Sequence, residues 1–192
     1  MCQSHDCRDV LLELKKVNPK FKATLFAIPG EMTPEMLIWC WQNTSWIELA
    51  VHGFYHASNY ECEKLSYRQF DELMKHTTLT RTLDFYVKGF KAPGWQISDD
   101  CYRWLHDNGW WVADKSYNNE RRPKELKAYV NYDGNDMRVH YKEKASELLP
   151  ATHHHCWNCV GNGVYEQFDY LVDLVKEVDE FKFVSEAIDE NT

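Results

Sequence analysis

The hydrophobic positions of this chain change period at short, regular intervals. Val10, Leu11, Leu14 and Val17 recur at helical spacing, and Asn18-Pro19 closes that helix. Phe21 to Ile28 alternates and predicts a strand, stopped by Pro29-Gly30. Thr33 before Pro34 and Glu35 is a helix start, a capping hydroxyl followed by proline at the first helical position, and the helix runs to about Gln42. Trp46 to Val51 is a compact apolar run that predicts a strand. Ser66 and Gln69 form a capping-box pattern opening a helix through about Leu83. Val87 to Ala92 predicts a strand broken by Pro93-Gly94. Ser98 caps a helix stopped by Gly109, and Trp110 to Ala113 is the next strand. Lys127–Tyr132 and Met137–Tyr141 predict strands around Asp133-Gly134-Asn135, and Leu148 to Thr152 leads into a triple histidine. Phe168, Leu171, Val172, Val175 and Val178 make an amphipathic stripe. Phe181 to Ile188 predicts a last strand, and Met1 to Ser4 a short first one ending at His5-Asp6.

Strands alternating with helices predict an α/β fold with a mostly parallel sheet. No repeat, low-complexity block or linker interrupts it, so a single domain over residues 1–192 is expected. In such folds, functional side chains collect where strands end and loops begin. Asp6, His52, Pro93 to Trp95, Asp114 and His155 fall at such places.

Composition narrows the function. Hydrophobic residues make up 44% and charged residues 27%, which suits a soluble globular chain. A net charge of −8, with only Arg121-Arg122 as a basic cluster, argues against a nucleic-acid partner. Aromatics reach 15%; flat apolar faces with polar edges suit a carbohydrate ligand, and core packing accounts for them equally well. Seven cysteines form no disulfide framework. No signal peptide pattern or apolar run of about 20 residues is present, so the expected setting is a soluble protein of the reducing cytoplasm.

The chemistry begins at His52-x3-His56. Two imidazoles four residues apart can face one metal ion, and one further ligand makes an open catalytic site. Cys156-x2-Cys159 with nearby histidines is a weaker zinc candidate, because a second ligand pair at conventional spacing is absent. No phosphate-binding glycine loop or G-x-S-x-G elbow is present; Gly161-Asn162-Gly163 is a turn.

Taken in order, Ser4-His5-Asp6, His52-x3-His56, Lys91-Ala92-Pro93-Gly94-Trp95, Trp111-Val112-Ala113-Asp114 and His153-His154-His155-Cys156-Trp157 resemble the polysaccharide deacetylases. These are the NodB-like members of carbohydrate esterase family four. The likeness runs from about Gln3 to the end of the last predicted strand. It implies a distorted (β/α) barrel with a divalent metal at the strand C-termini, most naturally zinc, with cobalt, nickel or iron also accommodated. It implies Asp6, His52 and His56 as metal ligands. The implied reaction is hydrolysis of an N-acetyl group on an amino sugar or polysaccharide. Pro93, Gly94, Trp95, Trp157 and His153 would line the substrate pocket, with a backbone N–H near Gly94 or Trp95 facing the oxyanion.

Two positions depart from the family. His5 stands where the resemblance implies an aspartate general base, and Lys91 where it implies an arginine that orients that base. Lysine lacks the planar fork that grips a carboxylate. Either His5 itself takes the proton, with Lys91 disfavouring its charged form, or the site binds metal and turns over poorly. A strand-end histidine bonded to a carbonyl is a third account of His5. The resemblance implies a late histidine as general acid, His155 or in reserve His153; on a strand these two share a face. Asp114 would orient that acid, or be an ordinary loop carboxylate. A carbohydrate-binding protein without turnover, and an enzyme cleaving another small amide or formyl group, are the competing readings.

Overall fold

A computed structural model of the chain describes residues 1–2, 6–79, 85–131 and 165–189. Its centre is a five-stranded parallel sheet in the order β1-β2-β3-β4-β5. The strands are β1 (Ala23–Ala27), β2 (Ile47–Val51), β3 (Tyr86–Lys91), β4 (Trp111–Lys115) and β5 (Ala128–Asn131). Each strand pairs with the next in sequence and all point the same way. Continuous winding in one direction is how a (β/α) barrel wall is built; a doubly wound sheet reverses its order midway. The α/β class and parallel strand order agree with the sequence expectation.

Helices fill the crossovers: α1 (Arg8–Val17), α2 (Pro34–Gln42), α3 (Tyr67–Leu79) and α4 (Asp99–Asp107), with α5 (Tyr165–Glu177) and α6 (Val184–Asp189) beyond β5. The predicted caps are in place. Thr33 Oγ1 accepts from the Met36 N–H at 3.3 Å, and Ser98 Oγ from the Cys101 N–H at 3.1 Å. Ser66 and Gln69 form the reciprocal box, at 2.9 Å and 3.4 Å. Every residue of β2 and β4 is buried, because helices cover both sides of a parallel sheet. One continuous core runs from Leu11 and Leu14 of α1 through Leu49, Phe90 and Val112 of the sheet to Leu171, Leu174 and Val175 of α5.

Met1 and Cys2 lie beside β1: the Met1 amine donates to the Phe26 carbonyl at 3.1 Å, and Ile28 N–H to the Met1 carbonyl at 3.2 Å. Of the predicted first strand only these two residues are described, and they run beside β1 without counting among the five strands.

The end of the chain differs from expectation. Phe181 to Ile188 is not a strand; α6 begins at Val184. Glu186 accepts from the Phe183 N–H at 2.8 Å, as a helix-opening carboxylate does. The next amides are taken by the sheet: Val184 N–H donates to Thr24 Oγ1 at 2.9 Å, and Ser185 donates to Glu48 through both its amide and its hydroxyl. These partners lie over a hundred residues away, so the local alternation carried no sign of them. The predicted strand Met137–Tyr141, the Leu148–Thr152 lead-in and Cys156-x2-Cys159 lie outside the described residues. No described helix is long and apolar enough to cross a membrane.

Candidate functional site

The C-terminal ends of β2, β3 and β4 carry the site. Val51 ends β2, and the His52 amide continues the pairing by donating to the Ala27 carbonyl at 2.8 Å. The His52 ring is buried, and its Nδ1 lies 2.8 Å from the carbonyl oxygen of Lys91, the last residue of β3. Facing a carbonyl, Nδ1 must carry the proton, which leaves Nε2 with its lone pair. Burial first, and then the Lys91 charge, push the His52 pKa well below its ordinary value, so the ring is neutral. A neutral imidazole locked in one tautomer by a carbonyl is the form that binds metals. The His56 ring is beside it, centroid to centroid 4.9 Å.

A tight loop makes this juxtaposition. Gly53 has φ +63° and His56 φ +50°, so the chain turns twice through left-handed backbone. The turn closes around Glu61, whose carboxylate accepts from the amides of Phe54, Tyr55 and His56 at 3.1 to 3.3 Å. A Cβ at position 53 would stand 2.1 Å from Glu61 Oε2 and 2.7 Å from Pro93 Cγ, so a side chain there would have to displace the carboxylate as well as adopt left-handed backbone. Sequence reasoning missed Glu61; the glycine beside the histidine pair, with an acid eight residues on, was its only trace.

The loop after β3 is equally constrained. Gly94 and Trp95 take φ +58° and +62°. A Cβ on Gly94 would meet the Asn59 carbonyl at 2.5 Å, so this loop presses against the histidine loop. The Trp95 N–H donates to the Ala92 carbonyl at 3.1 Å and is therefore engaged, contrary to the oxyanion role considered for it. The Trp95 carbonyl accepts from Asn118 Nδ2 at 3.3 Å. Lys91 and Lys115 set their ammonium groups over the Trp95 ring, 4.1 and 5.1 Å from its centroid. Both lysines are buried, and burial together with Lys115 pushes the Lys91 pKa down to about 7. Pro93 is buried and packs near Gly53.

Asp114 is not a loop carboxylate. It is 2% exposed and accepts from Tyr102 Oη, Asn118 Nδ2, Arg122 Nη1 and the Lys115 amide, at 2.6 to 2.9 Å. Through Asn118 it reaches the Trp95 backbone, so its described role is to hold that loop.

Asp6 is engaged by a neighbouring cation. Arg8 grips both carboxylate oxygens through Nε and Nη2, and the hydrogen bonds hold the Asp6 pKa below its usual value. Among the described residues, no three His, Cys, Asp or Glu side chains gather closely enough to hold a metal ion. The imidazole pair offers nitrogen donors of the kind a divalent cation takes, while the Asp6 carboxylate is engaged by Arg8. His5, His153, His155 and Trp157 lie outside the described residues.

Neither a protein-family model nor a curated protein matches the sequence. Among solved structures, a 4-alpha-glucanotransferase from Thermococcus litoralis superposes with a TM-score of 0.68 at 14% identity, over 98% of this chain. This chain spans only 37% of the glucanotransferase chain. The Xyl-CE4 domain of a multidomain xylanase from the hindgut metagenome of Trinervitermes trinervoides aligns at 15% identity, with a TM-score of 0.50, over 95% of this chain and 83% of that one. A CE4 family pseudoenzyme from Bacillus anthracis aligns at 15% identity, with a TM-score of 0.56, over 95% of this chain and 60% of that one. With its parallel strands in sequential order and these structural neighbours, the chain has a polysaccharide-deacetylase-like fold.

Proposed function

We propose that this chain acts on carbohydrate as a hydrolase that removes an N-acetyl group from an amino sugar, with the His52–His56 pair as its reaction centre. The observation that carries this reading is the hydrogen bond from His52 Nδ1 to the Lys91 carbonyl, which leaves a neutral imidazole nitrogen available beside a second ring. His52 and His56 would hold a divalent cation, zinc first, and Asp6 would join them once released by Arg8. When bound, such a cation supplies Lewis acidity toward an amide carbonyl and toward water. In this reading His5 takes the proton of the attacking water, and His155, or His153 in its place, returns one to the leaving amine. Trp95 and Trp157 offer ring faces to the sugar. The test is acetate release from a panel of N-acetylated sugars by metal-free and zinc-loaded protein, beside His52→Ala and His56→Ala. Release that needs both histidines supports the reading; no release from folded, zinc-loaded protein overturns it.

A second reading is a carbohydrate-binding protein without turnover. The Arg8 grip on Asp6 favours it, and one structural neighbour carries the word pseudoenzyme in its name. Sugar binding without acetate release is its signature.

A further inference from the structure

Tyr55 stands one residue before His56, on the loop that leaves the C-terminal end of β2, and it is 53% exposed. Its position is nevertheless fixed. Its amide donates to Glu61 Oε1 at 3.1 Å. Its ring stands edge-on to the buried Phe54, with centroids 4.4 Å apart and planes at 87°. It also lies against Gly30 in the loop after β1, where an added Cβ would come within 2.8 Å of Tyr55 Cδ1 and 2.9 Å of Cε1. Gly30 is not among the glycines with left-handed backbone, so what calls for glycine there is room. That room admits the Tyr55 ring and the Phe54 carbonyl, which accepts from the Gly30 amide at 2.9 Å.

An exposed apolar side chain is ordinary on a protein surface. Trp41 is one, 61% exposed in the last turn of α2, which leads down to the start of β2 and so away from the histidines. Tyr55 differs in being seated from both its backbone and its ring, next to His56, with about half of its surface left to solvent. Trp95, across the site, already carries the ammonium groups of Lys91 and Lys115 over its ring, at 4.1 and 5.1 Å, so part of its face is covered.

We propose that Tyr55 is a ring on which the carbohydrate stacks beside the histidine pair. A pyranose lays its C–H face on the phenol ring, and the hydroxyl at the ring's edge meets the sugar's own hydroxyls. A ring already held in place loses little freedom on binding, so the contact converts to affinity with a small entropic cost. Because His56 is the next residue, the stacked unit is set at a fixed place relative to the imidazoles, and Tyr55 thereby governs how the sugar lies at the site. The inference rests on the reading that carbohydrate binds at His52 and His56, and it does not depend on turnover.

The experiment is an NMR titration of the full chain with tetra-N-acetylchitotetraose, repeated on Tyr55→Leu, Tyr55→Phe and Trp41→Leu. In wild type, nuclear Overhauser contacts run from sugar C–H protons to the Tyr55 ring protons. Folded Tyr55→Leu, apolar but without a flat face, binds about fivefold more weakly. Tyr55→Phe keeps most of the affinity, and Trp41→Leu keeps all of it. Wild-type affinity in Tyr55→Leu overturns the inference. So does a loss of affinity in Tyr55→Leu when wild type shows no sugar contact to the ring, because the ring then only holds the loop. An equal loss in Trp41→Leu points to unspecific stacking on exposed rings and overturns it too. The wild-type contacts need no variant to fold. A wild type that binds no sugar overturns the carbohydrate reading and this inference with it. Acetate release is measured separately. If acetate is released while the Tyr55 contacts are absent, only this inference fails; if the contacts hold without release, only the hydrolase reading fails.

Discussion

Arg8 holds Asp6 in a two-pronged grip: Nε lies 3.0 and 2.9 Å from the two carboxylate oxygens, and Nη2 lies 2.6 Å from the second. The pair is about one-third exposed on each side, so it adds no more than about 1 kcal/mol to stability. On the reading that Asp6 joins His52 and His56 at a cation, its larger effect would be competition, because a carboxylate so engaged is withheld from that cation. Arg8→Ala is expected to raise zinc or cobalt affinity about fivefold, the equivalent of about 1 kcal/mol. Calorimetry on metal-free protein reads this directly. Unchanged affinity would separate Asp6 from the imidazole site altogether. The pair's small contribution to stability also has a pH sign. The Asp6 pKa is lowered in the fold, so the contribution is present above the unfolded carboxylate pKa and is lost as pH falls through the lower, folded value.

Glu61 fixes the histidine loop from beneath, since one carboxylate collects three successive amides. Glu61→Gln keeps one acceptor oxygen and loses the charge. The expected cost is about 1 to 3 kcal/mol in urea unfolding. A merely structural role would stop there. A positioning role also shifts the His52 and His56 imidazole resonances in NMR spectra of the folded variant, and Glu61→Asp restores them in part. Wild-type-like imidazole spectra in Glu61→Gln would leave Glu61 as scaffold alone.

Much of this architecture was legible in the sequence, because caps and periodicities are local. Thr33, Ser66 and Ser98 each sit within three residues of the amide they serve, and Ser66-Gln69 shows both halves of its box. The imidazole pair was legible for the same reason. What the sequence hid was reach. Asp114 read as a loop carboxylate or an aid to a late histidine, and nothing local shows that Tyr102, Asn118 and Arg122 converge on it. Asp6 read as a ligand from the family resemblance, and nothing in that pattern shows that Arg8, two residues on at the start of α1, folds back onto its carboxylate. The terminal F-K-F-V-S-E-A-I run alternates well enough to mimic a strand; the helix is opened by Glu186 on the Phe183 amide and docked by Thr24 and Glu48, on β1 and β2.

Glu48 provides a pH test of that docking. It lies 7% exposed within the sheet, and burial raises its pKa against the lowering effect of hydrogen bonds from Ser185 and Thr24. A carboxyl group whose folded pKa is raised costs stability above that pKa, where it must ionise in the interior, and costs nothing below the unfolded value, where both states are protonated. Glu48→Gln is therefore expected to raise the melting temperature at pH 7. The gain should shrink as the pH is lowered and vanish below about pH 4.3, the ordinary glutamate value. Thermal scans at pH 4, 5.5 and 7 decide it. A variant less stable than wild type at pH 7 would mean that the ionised form is favoured by its hydrogen-bond donors.

Asp114 offers the sharpest mutational contrast because its partner is largely shielded from solvent too. Arg122 is 11% exposed and donates to Oδ2 at 2.9 Å, the oxygen that also accepts from Tyr102 at 2.6 Å. Asp114→Ala leaves a guanidinium in the interior without its counter-charge, at an expected cost of about 3 to 5 kcal/mol. Asp114→Asn keeps the oxygen that serves Asn118 and the Lys115 amide, and should cost less. Removing both charges in Asp114→Ala/Arg122→Ala is expected to cost clearly less than the sum of the single changes, because the stranded charge is gone. Additive losses would show that the two groups contribute through separate contacts. The same variants test the route to the site. Asp114→Ala frees Asn118 from one of its two anchors, so the Trp95 loop, held at left-handed backbone by Asn118, should gain faster amide exchange at Trp95 and Gln96. Asp114→Asn, which retains the acceptor for Asn118, should leave that exchange near the wild-type rate, and equal acceleration in both variants would exclude the Asn118 relay.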